Sequence, residues 1–293
     1  MQVFCKSLFL ASRPKTLVAA LCPILLGGAL AFYLSGPFYW FDFWVLVVAS
    51  VCIQVATNFF NDALDSDMGR DSKNRLGPVR AAATGALSSR FLKLAACSLL
   101  VLALICGVIL FFKTGPWIFL VGLPALALAY LYTGTRFALS TTGVADIFVI
   151  LYFGLFPVWV TTRVLSGEFS TDAALMGLAL GLFSNALLLI NNLRDVEEDQ
   201  NGNKKTLVVR FGRKFGLSFL FLCLLGPYPL LGFTDEVYFR AAWWSTLILP
   251  LSLFIFIQVF RNKPSKVYNR YLGLTALNLV LFTFLVSLGV LSS

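Results

Sequence analysis

The chain has 293 residues, of which 59% are hydrophobic and 13% charged, and its net charge is +9 at neutral pH. A soluble domain of this length does not need so much apolar surface, whereas a bundle of membrane helices does. Histidine is absent, which excludes acid–base catalysis by imidazole, zinc sites that use histidine and haem with a histidine ligand. The six cysteines form no Cys-x-x-Cys pair and are interpreted as small core residues.

Nine apolar segments are long enough to cross a hydrocarbon core about 30 Å thick. In chain order they are approximately 16–34, 42–62, 91–112, 116–133, 143–164, 172–192, 215–233, 242–260 and 270–291. Helices are predicted rather than barrel strands, because the segments are long and uniformly apolar. The sequence therefore predicts an all-α integral membrane protein, with nine transmembrane helices in a single domain, 1–293.

The basic residues predict which way this bundle faces. Of the 23 Lys and Arg residues, all but Lys113, Arg163 and Arg240 fall on one side, in the N-terminal segment, in the loops after segments 2, 4, 6 and 8, or at the adjoining segment ends. By the positive-inside rule, the N-terminus is cytoplasmic and the C-terminus lies outside; in a bacterium the membrane would be the inner one. The same distribution explains the net charge without nucleic acid, and the basic excess attracts anionic lipid.

An acidic segment begins at the end of the second apolar segment. It reads Asn61-Asp62-Ala63-Leu64-Asp65, continues to Asp67 and Asp71, and is followed by Arg70, Lys73 and Arg80. Because Asn61 and Asp65 are four residues apart, they are expected on one face of a helix. Mg²⁺ prefers oxygen ligands and commonly bridges carboxylates to phosphates, whose remaining oxygens Arg and Lys bind. A solvated loop that only sets topology is the alternative; an EF-hand does not fit the spacing.

A second acidic segment repeats this order after the sixth apolar segment. It runs from Asn191-Asn192-Leu193-Arg194-Asp195 to Asp199 and is followed by Lys204 and Lys205. The intervals of four again predict one helical face. The loops at about 63–90 and 193–214 both fall on the cytoplasmic side, so we expect the two segments to meet at one mouth of the bundle. The recurring Asn-x-x-x-Asp pattern indicates a weak internal repeat of four spans.

The substrate predicted from these segments is a lipid diphosphate. The chain contains neither a Gly-x-x-x-x-Gly-Lys-Ser/Thr loop nor a usable Gly-x-Gly-x-x-Gly fingerprint, which argues against a nucleotide. The head group would lie on Mg²⁺ at the cytoplasmic rim, and the tail would run between the helices. The 29 Phe, 9 Tyr and 6 Trp residues offer faces that stabilise a carbocation, although packing is the ordinary role of any single ring.

Together, these motifs resemble those of the UbiA superfamily of intramembrane prenyltransferases, and most closely its 1,4-dihydroxy-2-naphthoate branch in menaquinone synthesis. The matching residues are Arg13-Pro14-Lys15-Thr16-Leu17, Asn58, Asn61-Asp62-x-x-Asp65, Arg75-x-Gly77-Pro78-x-Arg80, Gly85, Tyr132-Thr133-Gly134, Asn191-Asn192-x-Arg194-Asp195-x-x-x-Asp199, Lys205-Thr206-Leu207 and Arg210. The resemblance implies a nine-helix fold and Mg²⁺-dependent transfer of a polyprenyl group to an aromatic ring, with loss of CO₂ in the naphthoate branch. The chain departs from the family pattern at Gly69, where a third acid is expected; Asp71 is its substitute.

The resemblance also implies two sets of functional residues, and the sequence itself offers a third set of candidates. The metal ligands would be Asn61, Asp62, Asp65, Asn191, Asp195 and Asp199. The residues that bind diphosphate would be Arg70, Lys73, Arg80, Arg194 and Lys205. The acceptor-binding or catalytic candidates are Asp146, Arg13, Asp71, Tyr132 and Arg136.

Several alternatives stay open at this point. Asp62 is either a ligand or a support for the ligands, and the cation after Asp199 is Lys204 or Lys205. Asp146 either orients the acceptor or only begins a helix, and Arg13 either binds the acceptor's carboxylate or sets topology. The acceptor is dihydroxynaphthoate or another ring of the hydroxybenzoate or homogentisate type. A cation transporter is the alternative from another class, although transporter acids usually lie near the midplane. No obligatory protein partner is expected.

Overall fold

The computed structural model describes residues 2–69, 76–77, 80–134, 138–235, 238 and 243–292. Every regular element in these ranges is helical. The α-helices are α1 (Gln2–Ala11), α2 (Pro14–Ser35), α3 (Trp40–Asp67), α4 (Ser89–Thr114), α5 (Ile118–Leu131), α6 (Leu139–Thr142), α7 (Ala145–Ile150), α8 (Phe156–Ser166), α9 (Thr171–Arg194), α10 (Val196–Asn201), α11 (Leu207–Leu225), α12 (Pro227–Leu230), α13 (Leu249–Arg261) and α14 (Tyr268–Leu291). A π-helical turn, Leu151–Leu155, joins α7 to α8.

Most of these helices belong to segments that are long and apolar enough to cross a membrane. Within the described ranges, seven segments are long and apolar enough: Thr16–Ser35, Trp40–Asp67, Ser89–Thr114, Ala145–Ser166, Thr171–Arg194, Trp243–Arg261 and Tyr268–Leu291. The pair Leu207–Leu225 and Pro227–Phe233 passes the same test as one span bent by 42°. The apolar helix α5 is shorter, with 14 residues. The prediction of an all-helical, multi-pass membrane bundle is therefore confirmed at this level.

Local sequence signals account for several helix starts. Ser88, Ser170 and Thr206 stand just before α4, α9 and α11, and each side-chain oxygen accepts a hydrogen bond from the backbone N–H three residues on, at 3.1–3.3 Å. These N-caps satisfy amide groups that the helix itself leaves unpaired. Pro14 begins α2, where its missing N–H costs nothing.

The bundle is organised around α2 and α9. α2 packs against α3, α8 and α14, while α9 packs against the π-helical turn, α11 and α14. The largest buried side chains of this core include Phe183 on α9 and Phe282 on α14, whose ring centroids are 4.8 Å apart. Large apolar side chains on the outside, such as Phe112 and Leu120, are exposed. A continuous apolar exterior of this kind needs lipid to cover it.

The structure corrects two expectations about the ends of the helices that carry acids. α3 continues to Asp67, so Asp65 belongs to its last turns rather than to a loop. α9 ends at Arg194, and Asp195 leaves helical geometry with φ −98° and ψ 15° before α10 begins. Asn191, Asp195 and Asp199 therefore do not share one continuous helical face. α10 and the early start of α11 also make much of the predicted 193–214 loop helical.

The helix that follows α7 is held very close to α9 by glycines. A Cβ atom at Gly154, in the π-helical turn, would lie 2.2 Å from the Cα of Gly181 on α9. At Gly181, a Cβ would lie 2.3 Å from the carbonyl oxygen of Ile150. Ser184 Oγ also donates a hydrogen bond to the carbonyl of Phe153 at 3.0 Å. This contact fixes the segment 145–166 against α9, as small residues at helix contacts do in membranes.

Gly154→Ala is expected to destabilise the bundle, because the added methyl group overlaps the backbone of Gly181. Overpacking of this kind costs about 1–3 kcal/mol, which corresponds to a fall in apparent Tm of roughly 3–9 °C for a chain of this size. Thermal unfolding of detergent-purified protein measures the effect. Gly273→Ala is the control, since a Cβ there meets nothing within 4 Å. An equal Tm for the two variants would contradict the prediction.

Candidate active site

A single cavity of about 490 Å³ receives residues from both acidic segments. It lies among α2, α3, α7, α9 and α14, at the ends of α3 and α9 where the acids stand. All six predicted metal ligands line it: Asn61, Asp62, Asp65, Asn191, Asp195 and Asp199. The two segments, far apart in the sequence, are therefore brought together at one mouth of the bundle, as the sequence predicts.

In the first segment, Asp65 forms a buried ion pair with Arg80. The exposed fraction of Asp65 is 3% and that of Arg80 is 7%, and the Arg80 Nη1 atom donates to Asp65 Oδ2. The same nitrogen lies 3.4 Å from the backbone carbonyl of Asn61. A buried carboxylate and a buried guanidinium are each costly alone, so the pair depends on both members.

Asp62 has a different environment from Asp65. Its two carboxylate oxygens accept hydrogen bonds from the backbone N–H groups of Ala81 and Ala82, at 3.0 and 3.1 Å. These bonds fix the chain immediately after Arg80. Of the two roles left open by the sequence, the geometry favours support of the site over direct ligation.

In the second segment, Arg194 donates two hydrogen bonds to the Asp195 carboxylate. Arg194 Nε and Nη2 donate to the two oxygens of Asp195, both at 2.6 Å, and Nη1 donates to Asn269 Oδ1 at 2.6 Å. Asn269 Nδ2 in turn donates to the carbonyl of Leu76 at 3.0 Å. This chain of contacts ties the second segment to α14 and to the first loop.

Asp199 is paired with Lys204 rather than with Lys205. Lys204 Nζ lies 3.2 Å from Asp199 Oδ1, and Lys204 lines the cavity. Burial raises the pKa of the Asp199 carboxyl, and the charges of Asp195 and Glu198 act in the same direction, whereas Lys204 opposes them. Asp195 and Asp199 are thus close enough for their charges to repel each other.

The prediction of Lys205 as a phosphate ligand is not supported by its position. Its side chain is exposed and does not contribute to the cavity wall. Its backbone instead joins two elements: the Lys205 N–H donates to the carbonyl of Thr141 at 2.8 Å, and Arg210 Nε donates to the Lys205 carbonyl at 2.9 Å. The sequence could not separate the two adjacent lysines, because only the turn at 202–204 decides which one faces the acids.

Of the remaining predicted residues, three line the cavity and four lie outside the described residues. Arg13, Tyr132 and Asp146 belong to the cavity wall. Arg13 adopts the left-handed conformation, with φ 50°, at the turn between α1 and α2. The four outside the described residues are Arg70, Asp71, Lys73 and Arg136.

The donor chemistry of the cavity fits Mg²⁺, which takes oxygen ligands. Carboxylates and amide oxygens from both segments supply such ligands. In their present positions, no three His, Cys, Asp or Glu side chains among the described residues form a cluster that could hold an ion. Asp65, Asp195 and Asp199 each pair instead with a basic side chain. A metal ion would have to draw them away from these partners.

A second, apolar cavity adjoins the polar one. It has a volume of about 190 Å³ and is lined mainly by apolar residues of α2 to α5 and of the segment 148–160. Tyr132, just after α5, forms part of the wall of both cavities. A molecule with a charged head and an apolar chain would fit the two spaces together, with its junction beside Tyr132.

A family model supports the motif resemblance. Residues 20–290 match the model of the UbiA prenyltransferase family. The chain belongs to this family. Like the family, it is an integral multi-pass membrane protein.

Individual relatives of this UbiA chain agree with the family assignment. It is 31% identical to the 1,4-dihydroxy-2-naphthoate octaprenyltransferase of Mycobacterium leprae, over 69% of this chain and 68% of that protein. It is 29% identical to the enzyme of the same name from Haemophilus influenzae, over 96% of this chain and 94% of that protein. The fold matches that of a UbiA homolog from Archaeoglobus fulgidus bound to DMAPP and Mg²⁺, with a TM-score of 0.69 and 16% identity, over 98% of this chain and 99% of that one.

Two polar residues that contact the site or lie buried near it in this UbiA chain were not predicted from the sequence. Asn269 connects Arg194 to the first loop, and Asn185 lies fully buried on α9, where its Nδ2 donates to Cys223 Sγ at 3.6 Å. Neither belongs to a motif. Their one signal is that each is an amide at or within an apolar span, where polar side chains are expensive and usually serve a purpose.

Asn269→Ala is expected to weaken the link between the two segments. Arg194 would lose the acceptor for Nη1, and a buried donor left without its partner costs about 1–3 kcal/mol. Thermal unfolding in detergent measures the loss, with Asn201→Ala, an exposed position on α10, as the control. A Tm equal to that of the control would show that the link does not stabilise the fold.

Proposed function

We propose that this UbiA-family chain transfers a polyprenyl group from a polyprenyl diphosphate to an aromatic ring, with Mg²⁺ as cofactor. The acceptor we propose is 1,4-dihydroxy-2-naphthoate, which loses CO₂ to give demethylmenaquinol. The observation that carries the proposal is the pair of adjoining cavities, one polar with both acidic segments and one apolar, with Tyr132 in the walls of both. The names of the two bacterial relatives and the ligands of the archaeal structure support it.

In this proposal the carboxylates of both segments hold the cofactor. Asp65, Asp195 and Asp199, with Asn61 and Asn191 as neutral oxygen donors, are the ligands, and Asp62 supports them through Ala81 and Ala82. When bound, Mg²⁺ supplies positive charge to the diphosphate, which makes it a better leaving group.

The basic partners of these acids then become phosphate ligands. Arg80, Arg194 and Lys204 each neutralise one acid in the structure. If the acids turned toward a bound cation, these basic side chains would be available to phosphate at the wall of the same cavity. Arg binds phosphate oxygens in pairs, and Lys binds them as a point charge. Arg70 and Lys73 are further ligands in the proposal.

The allylic carbon would lie beside Tyr132, where the two cavities adjoin. As the C–O bond to the diphosphate lengthens, positive charge develops on that carbon, and an aromatic ring face stabilises it. The buried carboxylates and cations are in place before this charge appears, so little reorganisation is needed. The apolar tail would occupy the cavity lined by α2 to α5.

The topology of the proposal follows the positive-inside rule. The single domain, 1–293, would cross the membrane nine times, counting α5 and the bent pair Leu207–Leu225 and Pro227–Phe233 as spans. The N-terminus would be cytoplasmic and the C-terminus outside, with the active site facing the cytoplasm. In a bacterium this places the enzyme in the inner membrane, where both the lipid diphosphate and a soluble aromatic acid can reach it.

Replacement of the proposed metal ligands is expected to abolish transfer. Asp65→Asn, Asp195→Asn and Asp199→Asn should each lower the rate by about 100-fold or more, because each removes a carboxylate that would hold the Mg²⁺ whose charge stabilises the leaving diphosphate. EDTA should have the same effect on the unmodified protein, and added Mg²⁺ should reverse it. The assay uses detergent-purified protein, geranylgeranyl diphosphate and dihydroxynaphthoate, with mass spectrometry of the product and measurement of CO₂.

Asp67→Asn is the matched control for these variants. Asp67 stands on the same helix as Asp65 but accepts a hydrogen bond from Ser89 at 2.8 Å and lies outside the cavity wall. It should keep activity within about twofold of the unmodified protein. Full activity of the three ligand variants, or activity in EDTA, would refute the proposed function. If only 4-hydroxybenzoate or homogentisate gave a product, the proposed acceptor would be wrong, but the proposed prenyl transfer would stand.

Gly122→Phe is expected to restrict the length of the prenyl tail. Gly122 lines the apolar cavity, and a Cβ there meets nothing within 4 Å, so a phenyl group would enter the free space. Gly122 lies ten residues before Tyr132, about 15 Å along a helix. The KM for geranylgeranyl diphosphate should rise roughly tenfold, which is about 1.4 kcal/mol, while geranyl diphosphate should be unaffected.

The control for tail length is Gly273→Phe, on α14 and outside both cavities, where a Cβ also meets nothing within 4 Å. This variant should treat the long and short substrates as the unmodified protein does. Equal KM changes for both tails in Gly122→Phe would show that the apolar cavity does not hold the distal part of the tail.

A further inference from the structure

Asp146 differs from the other acids of the polar cavity. It stands in the first turn of α7, its exposed fraction is 1%, and it lines the cavity wall. Neither of its carboxylate oxygens has a hydrogen-bond partner of normal geometry in the described part of the chain. Burying a carboxylate without such partners is costly. The position is therefore one that a ligand from the cavity would complete.

Asp146 has different surroundings from the acids that are proposed to hold the metal and the diphosphate. Asp65, Asp195 and Asp199 pair with basic side chains, and Asp62 accepts two backbone N–H groups. Each of these acids lies on a segment that also carries cations. Asp146 lies instead on α7, whose sequence neighbourhood from 138 to 162 has no Lys or Arg.

The position of Asp146 along its helix points to the junction of the two cavities. Val149 follows it by three residues, on the same face of α7, and lines the apolar cavity. Asp146 itself lines the polar cavity, as does Tyr132. A ring that entered beside Asp146 would thus lie next to the point where the allylic carbon is proposed to form.

Asn185 is placed to orient the Asp146 carboxylate. Its side chain is fully buried on α9 and faces Asp146, while its Nδ2 donates to Cys223 Sγ. The glycine contact between Gly154 and Gly181 fixes the distance between the two helices that carry this pair. Asp146 therefore has a rigid setting although its oxygens lack strong partners.

We propose that Asp146 binds the hydroxyl group of the aromatic acceptor and takes its proton during the attack, and that Asn185 is a positioning residue for it. This inference rests on the proposed function and deepens it, because it assigns the residue that binds the acceptor's hydroxyl group and the residue that positions it. A phenolic O–H would give the Asp146 oxygens a well-aligned donor, which the nearby Asn185 amide does not provide in the structure.

The proposed step balances without any further reactant. The hydroxyl proton moves to Asp146, a ring carbon forms a bond to the allylic carbon, and the C–O bond breaks with its electron pair leaving on the diphosphate. Where the attacked carbon carries a carboxylate, CO₂ departs and the bonding pair returns to the ring. Asp146 then gives its proton back to the ring oxygen, so the carboxylate is regenerated.

The test compares Asp146→Asn with Asp172→Asn. Both acids stand in the first turn of a helix, but Asp172 lines neither cavity. With Mg²⁺, dihydroxynaphthoate and geranylgeranyl diphosphate, Asp146→Asn should transfer about 100-fold more slowly, the lower range for loss of a general base. Its Kd for geranylgeranyl diphosphate, measured by equilibrium dialysis, should stay within about twofold of that of the unmodified protein. Asp172→Asn should change neither quantity.

Methylated acceptors extend the comparison to the hydroxyl itself. The two monomethyl ethers of dihydroxynaphthoate each lack one hydroxyl proton. With one of these ethers, the transfer rate of the unmodified protein should fall by about the same factor by which Asp146→Asn lowers the rate with dihydroxynaphthoate. The rate of the Asp146→Asn variant should fall little further with that ether. Such non-additivity is the signature of two groups that act on each other.

The positioning role of Asn185 has its own readout. Asn185→Ala should raise the KM for the acceptor roughly tenfold, about 1.4 kcal/mol, and leave the KM for geranylgeranyl diphosphate unchanged. A purely structural role would alter both constants together and lower the Tm, which would overturn this part of the inference.

The outcomes separate this inference from the proposed function. If the unmodified protein prenylates the ring and Asp146→Asn does so at a similar rate, the inference is wrong and the proposed function stands. If Asp146→Asn loses its affinity for geranylgeranyl diphosphate, the residue belongs to the diphosphate side and the inference is again wrong. If the unmodified protein prenylates no ring, both proposals fail.

Discussion

Carboxylates at the wall of an apolar bundle are costly unless they are compensated, and this constraint organises the polar end of the molecule. Asp65 is neutralised by Arg80, Asp195 by Arg194 and Asp199 by Lys204. In the Asp65 case the partner comes from a different element, so the electrostatic requirement also holds the loop after α3 against the helix. Through Asn269, the Arg194 pair reaches α14 and Leu76. The same contacts that make burial of the acids tolerable therefore position the candidate site.

These pairs also give the site a way to respond to a charged substrate. A buried ion pair contributes little net stability, because the attraction between its charges and the cost of removing them from water nearly cancel. In the proposed function, a divalent ion would compete for the acids and a diphosphate for the bases, so each ligand would favour binding of the other. The apolar cavity beside Tyr132 would then favour a substrate with a charged head and an apolar tail.

The sequence predicted well what depends on local composition and spacing. Apolar segments such as 91–112 and 172–192 became the helices Ser89–Thr114 and Thr171–Arg194, since length and hydropathy determine membrane helices. The meeting of Asn61 and Asp65 with Asn191 was also foreseeable, because the basic residues placed both helix ends on one side. The UbiA resemblance followed from the motifs and is confirmed by the family model.

What the sequence did not predict depends on contacts between distant elements. The break at Asp195, the choice of Lys204 over Lys205 and the support that Asp62 gives to Ala81 are set by turns whose geometry has no periodic signal. Asn185 was missed because one amide in an apolar run resembles any other. The close contact of Gly154 with Gly181 was missed for a similar reason: a glycine in a helix does not show what it faces.

The central claim is that both acidic segments hold one diphosphate through divalent metal. It is tested most directly by anomalous diffraction from crystals grown with Mn²⁺ and a non-hydrolysable thiodiphosphate analogue of geranylgeranyl diphosphate. The account predicts Mn²⁺ peaks in the polar cavity, between Asp65 on one side and Asp195 and Asp199 on the other, with the analogue's phosphorus atoms beside them. Mn²⁺ bound only at exposed acids such as Glu197, with the analogue elsewhere in the bundle, would contradict it.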